Sequence, residues 1–550
     1  MGMTRKNAIT KRTRLESEQV LAEQEVMSAR RRENEPDSNP IPQPPRPASR
    51  NLTQPPPFTR GDEGGSPSTI DHRPSTIFFG WLVAFACAAA LYGLTANRGA
   101  QWQDSGQHIY RVVAKEPVNP LGLALSHPLH HYLARAAVWF DLVEPCFAVT
   151  LVSAFAAALA VANTYGCVAT LTRTWFPAAF AAVSLALAHT FWQMATRAET
   201  YTLAAALLSA ELWCLAVFLR SYRPALLCAA FLFNGLGVSN HLLAALTTPI
   251  LVAVLVWAVV RQRMTVKVVA VAFSLWLLGA LPYVALVVGE WMHTGDSVGT
   301  LRSAFFGHGF ADEVLNTSIS ARTTLTGLAF ITLNFPNLIL PLAAYGAAKS
   351  ASPRRILFPL LAGLAVHAVF VFRYPIVDQY MFFVPMYVFL VVLGGLGVAQ
   401  VRRRTLLAAA AVLVAWTPAF YATLPGVARK CQVLSQVERR RPYRDDYVYV
   451  FTPWSVVEHS AERMSRQAVQ LAGGDGLIVA QRGEYAVRYQ VLHLGAVGVQ
   501  VRDRLDDEEL IAVFQHHRAV VLVPDDVANP PAAPLSYYWK PVGDLFMMAK

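Results

Sequence analysis

Apolar stretches long enough to cross a bilayer recur between residues 77 and 424, and that repetition decides the fold class. A helical crossing needs about 20 apolar residues. Lipid offers no partner to an unpaired backbone amide, so helices are the form such runs must take. Their cores are Ile77–Leu94, Phe147–Thr170, Phe176–Thr190, Tyr201–Leu219, Ala225–Val238, Leu242–Val260, Val266–Val288, Leu325–Ala348, Ile356–Phe372, Tyr380–Val398 and Leu406–Leu424. They predict an all-α polytopic membrane protein with about 11 transmembrane helices. Charged residues make up only 15% of the chain, against about a quarter in soluble proteins.

Charge then orients the spans. Every second connection is short and basic: Arg173; Arg220 and Arg223; Arg261, Arg263 and Lys267; Lys349, Arg354 and Arg355; Arg402, Arg403 and Arg404. Lys and Arg beside span ends resist translocation, so these loops and the N-terminus are expected on the cytoplasmic side. An odd span count then puts the C-terminus outside. The excess of 47 basic over 36 acidic residues fits this topology. No basic stripe with interleaved aromatics points to nucleic acid. Of the six cysteines, Cys87, Cys146, Cys167, Cys214, Cys228 and Cys431, none forms a Cys-x-x-Cys pair, so neither a disulfide framework nor a zinc site is indicated.

Three regions follow. Residues 1–76 hold 11 of the 34 prolines and no apolar run, which predicts a disordered cytoplasmic arm. Residues 77–424 form the membrane domain. Residues 425–550 read as a small extracytoplasmic α/β domain, with a helix over Ser455–Leu471 and strands at Leu477–Gln481, Val497–Val501 and Ala519–Val523. Glu508–His516 is expected to be helical. The Gly473–Gly476 cluster precedes a strand, the wrong order for a nucleotide-binding turn.

On this topology Asp104, His127, Arg197, Glu199, Tyr201, His241, Arg373 and Asp378 fall at or near the outer surface, from separate connections. Asp104 lies about seven residues past the first apolar run, where a lipid-borne substrate would present its head group. A lone carboxylate there suits a general base; as an alternative it caps a helix over Ser105–Gln107. His127 precedes Pro128 and has a cap-like position. His130 and His131 follow, with metal ligation only weakly signalled. Thr196 and Glu199 have capping-box spacing. Ser239 and Asn240 could cap the sixth span, which leaves the His241 imidazole unexplained, and a histidine at membrane depth is costly without a role. Arg373 has the permanent charge and multiple donors that a departing phosphate needs. Asp378 is either a cap or part of the same site.

The order and spacing of these blocks resemble a known family. Trp102-Gln-Asp104-Ser-Gly is followed by Ser126-His127-Pro128, then by Phe191-Trp-Gln-x-Ala-x-x-Ala-Glu199-x-Tyr201-Thr-Leu, Gly235-Leu-Gly-x-Ser-Asn-His241 and Asp378-Gln-Tyr-x-Phe-Phe-x-Pro385. The pattern is similar to a bacterial membrane family related to a eukaryotic endoplasmic-reticulum protein O-mannosyltransferase and to the wider GT-C glycosyltransferases. The resemblance implies a polyprenyl-phosphate sugar as donor, a protein or glycan acceptor, inverting transfer without a metal or other cofactor, and Asp104 as the catalytic carboxylate. Glu199, Tyr201 and His241 match further marked positions. One departure is His130-His131-Tyr132, where many relatives have Gly-Tyr-Pro preceded by one residue after the His-Pro pair. The absence of any eukaryotic sorting signal leans towards a bacterial inner membrane. Two other classes remain open from sequence: a transporter or lipid flippase, and a non-catalytic membrane anchor or sensor.

Overall fold

The computed structural model describes residues 74–550, apart from residues 436–440, 442, 481–482, 505–506, 517–518, 527, 529 and 535. The predicted N-terminal arm therefore lies almost wholly outside the described residues. All described residues belong to one compact unit.

Every predicted apolar core is mainly helical, two of them as bent helix pairs. α1 (Pro74–Thr95) starts with proline, whose missing N–H costs nothing at a helix start. Two surface helices follow, α2 (Gln103–Ala114) and α3 (Pro128–Trp139), then α4 (Pro145–Thr172), α5 (Trp175–Ala186), α6 (His189–Ala195), α7 (Tyr201–Ser221) and α8 (Pro224–Asn240). A 3-10 turn, Leu242–Leu246, leads into α9 (Thr248–Val260) and α10 (Lys267–Thr294). Next come α11 (Ser297–Phe306), α12 (Ala311–Leu315), α13 (Ala321–Asn334), α14 (Ile339–Lys349), α15 (Arg354–Phe372), α16 (Gln379–Phe382), α17 (Val384–Val398) and α18 (Arg404–Lys430).

Among the described residues, seven helices have the length and apolar character to cross a membrane, or nine if two bent pairs each count as one span, so the expected count of about 11 is not confirmed. α5 and α6 bend by 68° and α13 and α14 by 100°, while α8 and α17 are shorter apolar helices. Pro336 forbids the helical conformation at Phe335, which ends α13. The two bends lock together: Asn334 Oδ1 accepts from the Thr190 backbone N–H at 2.7 Å, and its Nδ2 donates to Thr190 Oγ1 at 3.0 Å.

Small residues let the bundle helices approach closely, the packing mode that membrane helices favour. α4 buries Ala154, Ala157, Ala158, Ala160 and Ala162. Where α8 crosses α10, a Cβ on Gly235 would come within 2.0 Å of the Trp276 carbonyl oxygen. That crossing fixes the end of α8, and Ser239 Oγ adds a bond to the Gly279 carbonyl at 2.8 Å.

The C-terminal region holds α19 (Asp446–Phe451), α20 (Ser460–Ala472), β1 (Leu477–Ala480), α21 (Glu484–His493), β2 (Gln500–Arg502), α22 (Asp507–His516), β3 (Val520–Val523), β4 (Tyr538–Val542) and β5 (Leu545–Ala549). The sheet order is β2-β1-β3-β5-β4, parallel through β2, β1 and β3 and antiparallel thereafter. Strands form within Leu477–Gln481 and Ala519–Val523 as expected, whereas the strand expected at Val497–Val501 is displaced to Gln500–Arg502. The expected helix starts at Ser460 instead of Ser455, because Ser455 is tied to the first outer connection and Val457 is 55% exposed. β1 and β3 are buried throughout, as parallel strands covered on both faces must be. Ile109 and Val112 of α2 belong to the core on one face, with Met464, Val487 and Val521. The helix carrying Asp104 is thereby held between the sheet domain and the membrane bundle.

Candidate functional site

Asp104 lies in the first turn of α2, one residue inside the helix start. It is therefore not the N-cap; Trp102 holds that position, without a side-chain cap bond. Gln103 has a left-handed φ of 52°, a conformation uncommon outside glycine. Asp104 itself is exposed. Burial by the surrounding protein, with the Asp378 charge nearby, raises its carboxyl to about 6.

Glu199 stands beside it. Ser105 Oγ, one residue after Asp104, donates to Glu199 Oε1 at 2.6 Å. Burial raises the Glu199 carboxyl to about 8, with Asp104 and Asp378 adding to the effect. The expected capping box does not form. Thr196 closes α6 and bonds backward to Trp192, and Thr200 is the N-cap of α7. What fixes the Glu199 turn is Ser153 of α4, which donates to the Glu199 carbonyl at 2.8 Å and accepts its N–H at 2.9 Å. Gln101 accepts the N–H of Ala198 at 3.0 Å and donates to Thr150 at 2.8 Å. Ser153 and Thr150 are polar residues inside an apolar span, and that was the signal that could have found them.

The histidines reach the same turn from the other side. Asn240 Nδ2 donates to the Thr200 carbonyl at 3.0 Å, and the Asn240 carbonyl bonds His127 Nδ1 at 2.7 Å. His127 has a left-handed φ of 49° and precedes Pro128 at the start of α3, the cap-like position expected. Burial lowers its imidazole to about 4. Ser239 and Asn240 do not cap the following turn; His241 does so itself, its Nδ1 accepting from Leu243 N–H at 3.2 Å. The neutral ring therefore carries its proton on Nε2 and offers a donor there. Burial keeps that ring neutral, well below the ordinary imidazole range. Behind it, Asn234 Nδ2 donates to the Ala244 carbonyl at 3.0 Å and to Glu211 Oε2 at 3.0 Å, fastening the 3-10 turn to α7.

Aromatic contacts continue this wall. The His127 and His241 rings are 4.9 Å apart, His241 and Tyr201 5.2 Å, and Tyr201 and Phe382 5.4 Å. Phe382 carries the row to Tyr374 at 4.9 Å, next to Arg373. Asp378 is the residue before α16, without a side-chain cap bond to that helix. Its charge acts on Asp104, Glu199, Tyr201 and Tyr380.

The two arginines are engaged elsewhere. Arg197 donates to Ser455 Oγ at 3.1 Å and to the Tyr449 carbonyl at 2.8 Å, and lies 4.1 Å over the Tyr449 ring. Its charge still acts on Glu199, but its donors are committed to the C-terminal segment. Arg373 bonds the Asn316 carbonyl and lies 5.5 Å over Phe370. His130 and His131 are buried; the His130 ring meets His108 at 5.4 Å, and His108 meets His127 at 5.6 Å. Among the described residues no three His, Cys, Asp or Glu side chains form a metal-ligand set.

Comparison with known proteins bears on this arrangement. Residues 124–265 match the family model described as the protein O-mannosyl-transferase TMEM260 N-terminal domain. The match takes in His127, Glu199, Tyr201 and His241. ArnT from Cupriavidus metallidurans, in a structure bound to undecaprenyl phosphate, superimposes with a TM-score of 0.60 at 12% identity, covering 85% of this chain and 98% of that one. Its apo structure gives a TM-score of 0.57 at 15% identity, covering 86% and 98%. The chain is thus similar to that domain over residues 124–265, and it shares the fold of the two ArnT structures. No curated protein sequence matches the chain.

Proposed function

We propose that the protein is a membrane glycosyltransferase that moves a sugar, mannose in the simplest case, from a polyprenyl phosphate to a hydroxyl acceptor at the extracytoplasmic face. The observation that carries the reading is the meeting of Asp104, Glu199, Asp378, His127, His241 and Tyr201, from separate segments, around the Glu199 turn. A sugar phosphate already has a good leaving group, so one base suffices and no paired acid is needed. The Asp104 carboxylate takes the acceptor proton as the new bond to the anomeric carbon forms. The bond from that carbon to the phosphate oxygen breaks on the opposite face, which inverts the configuration. The electron pair leaves with the polyprenyl phosphate.

Glu199, held at about 8 by burial and its acidic neighbours, is protonated near neutrality and positions Ser105 and the sugar. The Nε2–H of His241 is a neutral donor aimed along the histidine wall, and Tyr201 and Phe382 give the sugar ring an apolar face. Arg197 orders the Glu199 turn through Tyr449 and Ser455, and Arg373 orders the loop before Asp378. No step in this scheme calls for a metal. The family match to a protein O-mannosyl-transferase domain supports the sugar and acceptor classes, and the alternating basic loops support the membrane orientation.

The test is transfer from radiolabelled polyprenyl-phosphate mannose by membranes containing the wild-type chain or Asp104→Asn. Label should move to an acceptor only with wild type. Equal transfer by both would remove Asp104 from the reaction, and labelled lipid crossing reconstituted vesicles without covalent product would point to a flippase.

A further inference from the structure

We infer that the opposite end of α7 carries a binding site for an anionic phospholipid, its phosphate among guanidinium groups around Tyr222 and an acyl chain between α8 and α10. α7 spans 21 residues, Tyr201–Ser221, so its ends are separated by about 30 Å. At the far end Arg263 lies 4.9 Å over the Tyr222 ring and Arg355 lies 5.6 Å from it. Trp257 packs on the same ring at 6.2 Å. Arg220 donates to the Leu171 carbonyl at 2.7 Å, while its buried Nε has no acceptor. Arg173 and Arg355 both repel Arg220. Four chain segments thus bring four guanidinium groups together.

The ion pairs among the described residues all lie between residues 429 and 525, so none neutralises this cluster. Gathering like charges at a membrane surface is unfavourable without an anion. A phosphate diester fits because guanidinium forks accept it with two parallel bonds. The second observation identifies the rest of the ligand. Pro224, two residues after Tyr222, opens a lateral groove of about 420 Å³ continued by Cys228, Val268, Val271 and Leu275. Its one charged lining residue is Lys267, four residues after Arg263. Cations at the mouth of an apolar groove between membrane helices match an anionic lipid, head group and chain together. A soluble phosphate would leave the groove unused.

The experiment titrates phosphatidylglycerol, phosphatidylcholine or glycerol 3-phosphate into the full chain in detergent and reads bound lipid by native mass spectrometry. Phosphatidylglycerol should bind at least tenfold more tightly than phosphatidylcholine, and glycerol 3-phosphate should not compete. Combined Arg263→Gln, Arg355→Gln and Lys267→Gln should abolish that preference. Val271→Trp fills the groove from a residue that is 51% exposed, leaves every charge in place, and should weaken phosphatidylglycerol at least fivefold; it carries the test if the triple variant does not fold. Equal binding of the two lipids, competition by glycerol 3-phosphate, or binding unchanged by Val271→Trp would overturn the proposal.

Discussion

The two ends of α7 have opposite chemistry. At Tyr201 three carboxylates, Asp104, Glu199 and Asp378, act on one another within a wall of buried imidazoles. At Ser221 the neighbours are exposed or part-exposed arginines grouped on an aromatic ring. The acidic end is held rigidly: each turn there is fastened by side-chain bonds from another element, through Ser153, Gln101, Asn240 and Asn234. The basic end relies on cation–π contacts and helix-end carbonyls. Preorganised hydrogen bonds around poised carboxyls suit a reaction, whereas an exposed cationic rim suits a lipid surface.

The strongest attempt to break this contrast is Asp104→Asn. If Asp104 is the base, transfer should fall by about 100- to 10,000-fold, the usual contribution of a positioned base. The matching change at the other end, Arg263→Gln, should leave transfer unaltered in the same assay with neutral lipid. Loss of activity from both would show that the two ends do not divide the work.

Ser153→Ala sharpens the claim of rigidity. It removes both bonds to the Glu199 backbone and leaves a buried N–H and carbonyl unpaired. A cost of about 1–3 kcal/mol is expected, visible as a lower melting temperature and as weaker donor binding. Ser221→Ala, whose exposed hydroxyl donates to the Val217 carbonyl and accepts only a long 3.4 Å bond from the Arg223 N–H, should stay within about 0.5 kcal/mol of wild type, as exposed substitutions do.

Sequence patterning exposed the bundle because lipid tolerates so few solutions: each apolar run had to be a helix, and basic loops marked alternate ends. It also brought out Asp104, Glu199, Tyr201 and His241, since ionisable or polar groups beside spans stand out. The partners were less visible. Thr196 and Glu199 had the spacing of a capping box, yet long-range bonds from Ser153 and Pro453 decided their conformation. Arg197 stood out as a site candidate because charge is visible in sequence, whereas its bonds to Tyr449 and Ser455 depend on residues some 250 positions away. The hairpin β4–β5 and α21 escaped notice because their apolar positions follow no sustained period.

A finer test uses pH. Asp104 is raised to about 6, by burial first and then by the charge of Asp378. The base is the carboxylate, so the rate should climb as pH rises through about 6 and be lost below it. Asp378→Asn removes the like charge but leaves the burial, so Asp104 should ionise more easily and the acid limb should move to lower pH. Burial is the larger cause, which limits the displacement to less than about one unit. Measured rates from pH 4.5 to 8 would detect this. The same profile recorded for Arg355→Gln should overlay wild type, because a charge about 30 Å away, about three Debye lengths at 0.1 M salt, is screened from Asp104. An acid limb that shifts with Arg355→Gln and stays put with Asp378→Asn would mean that the group titrating in the rate is not the aspartate of the acidic end.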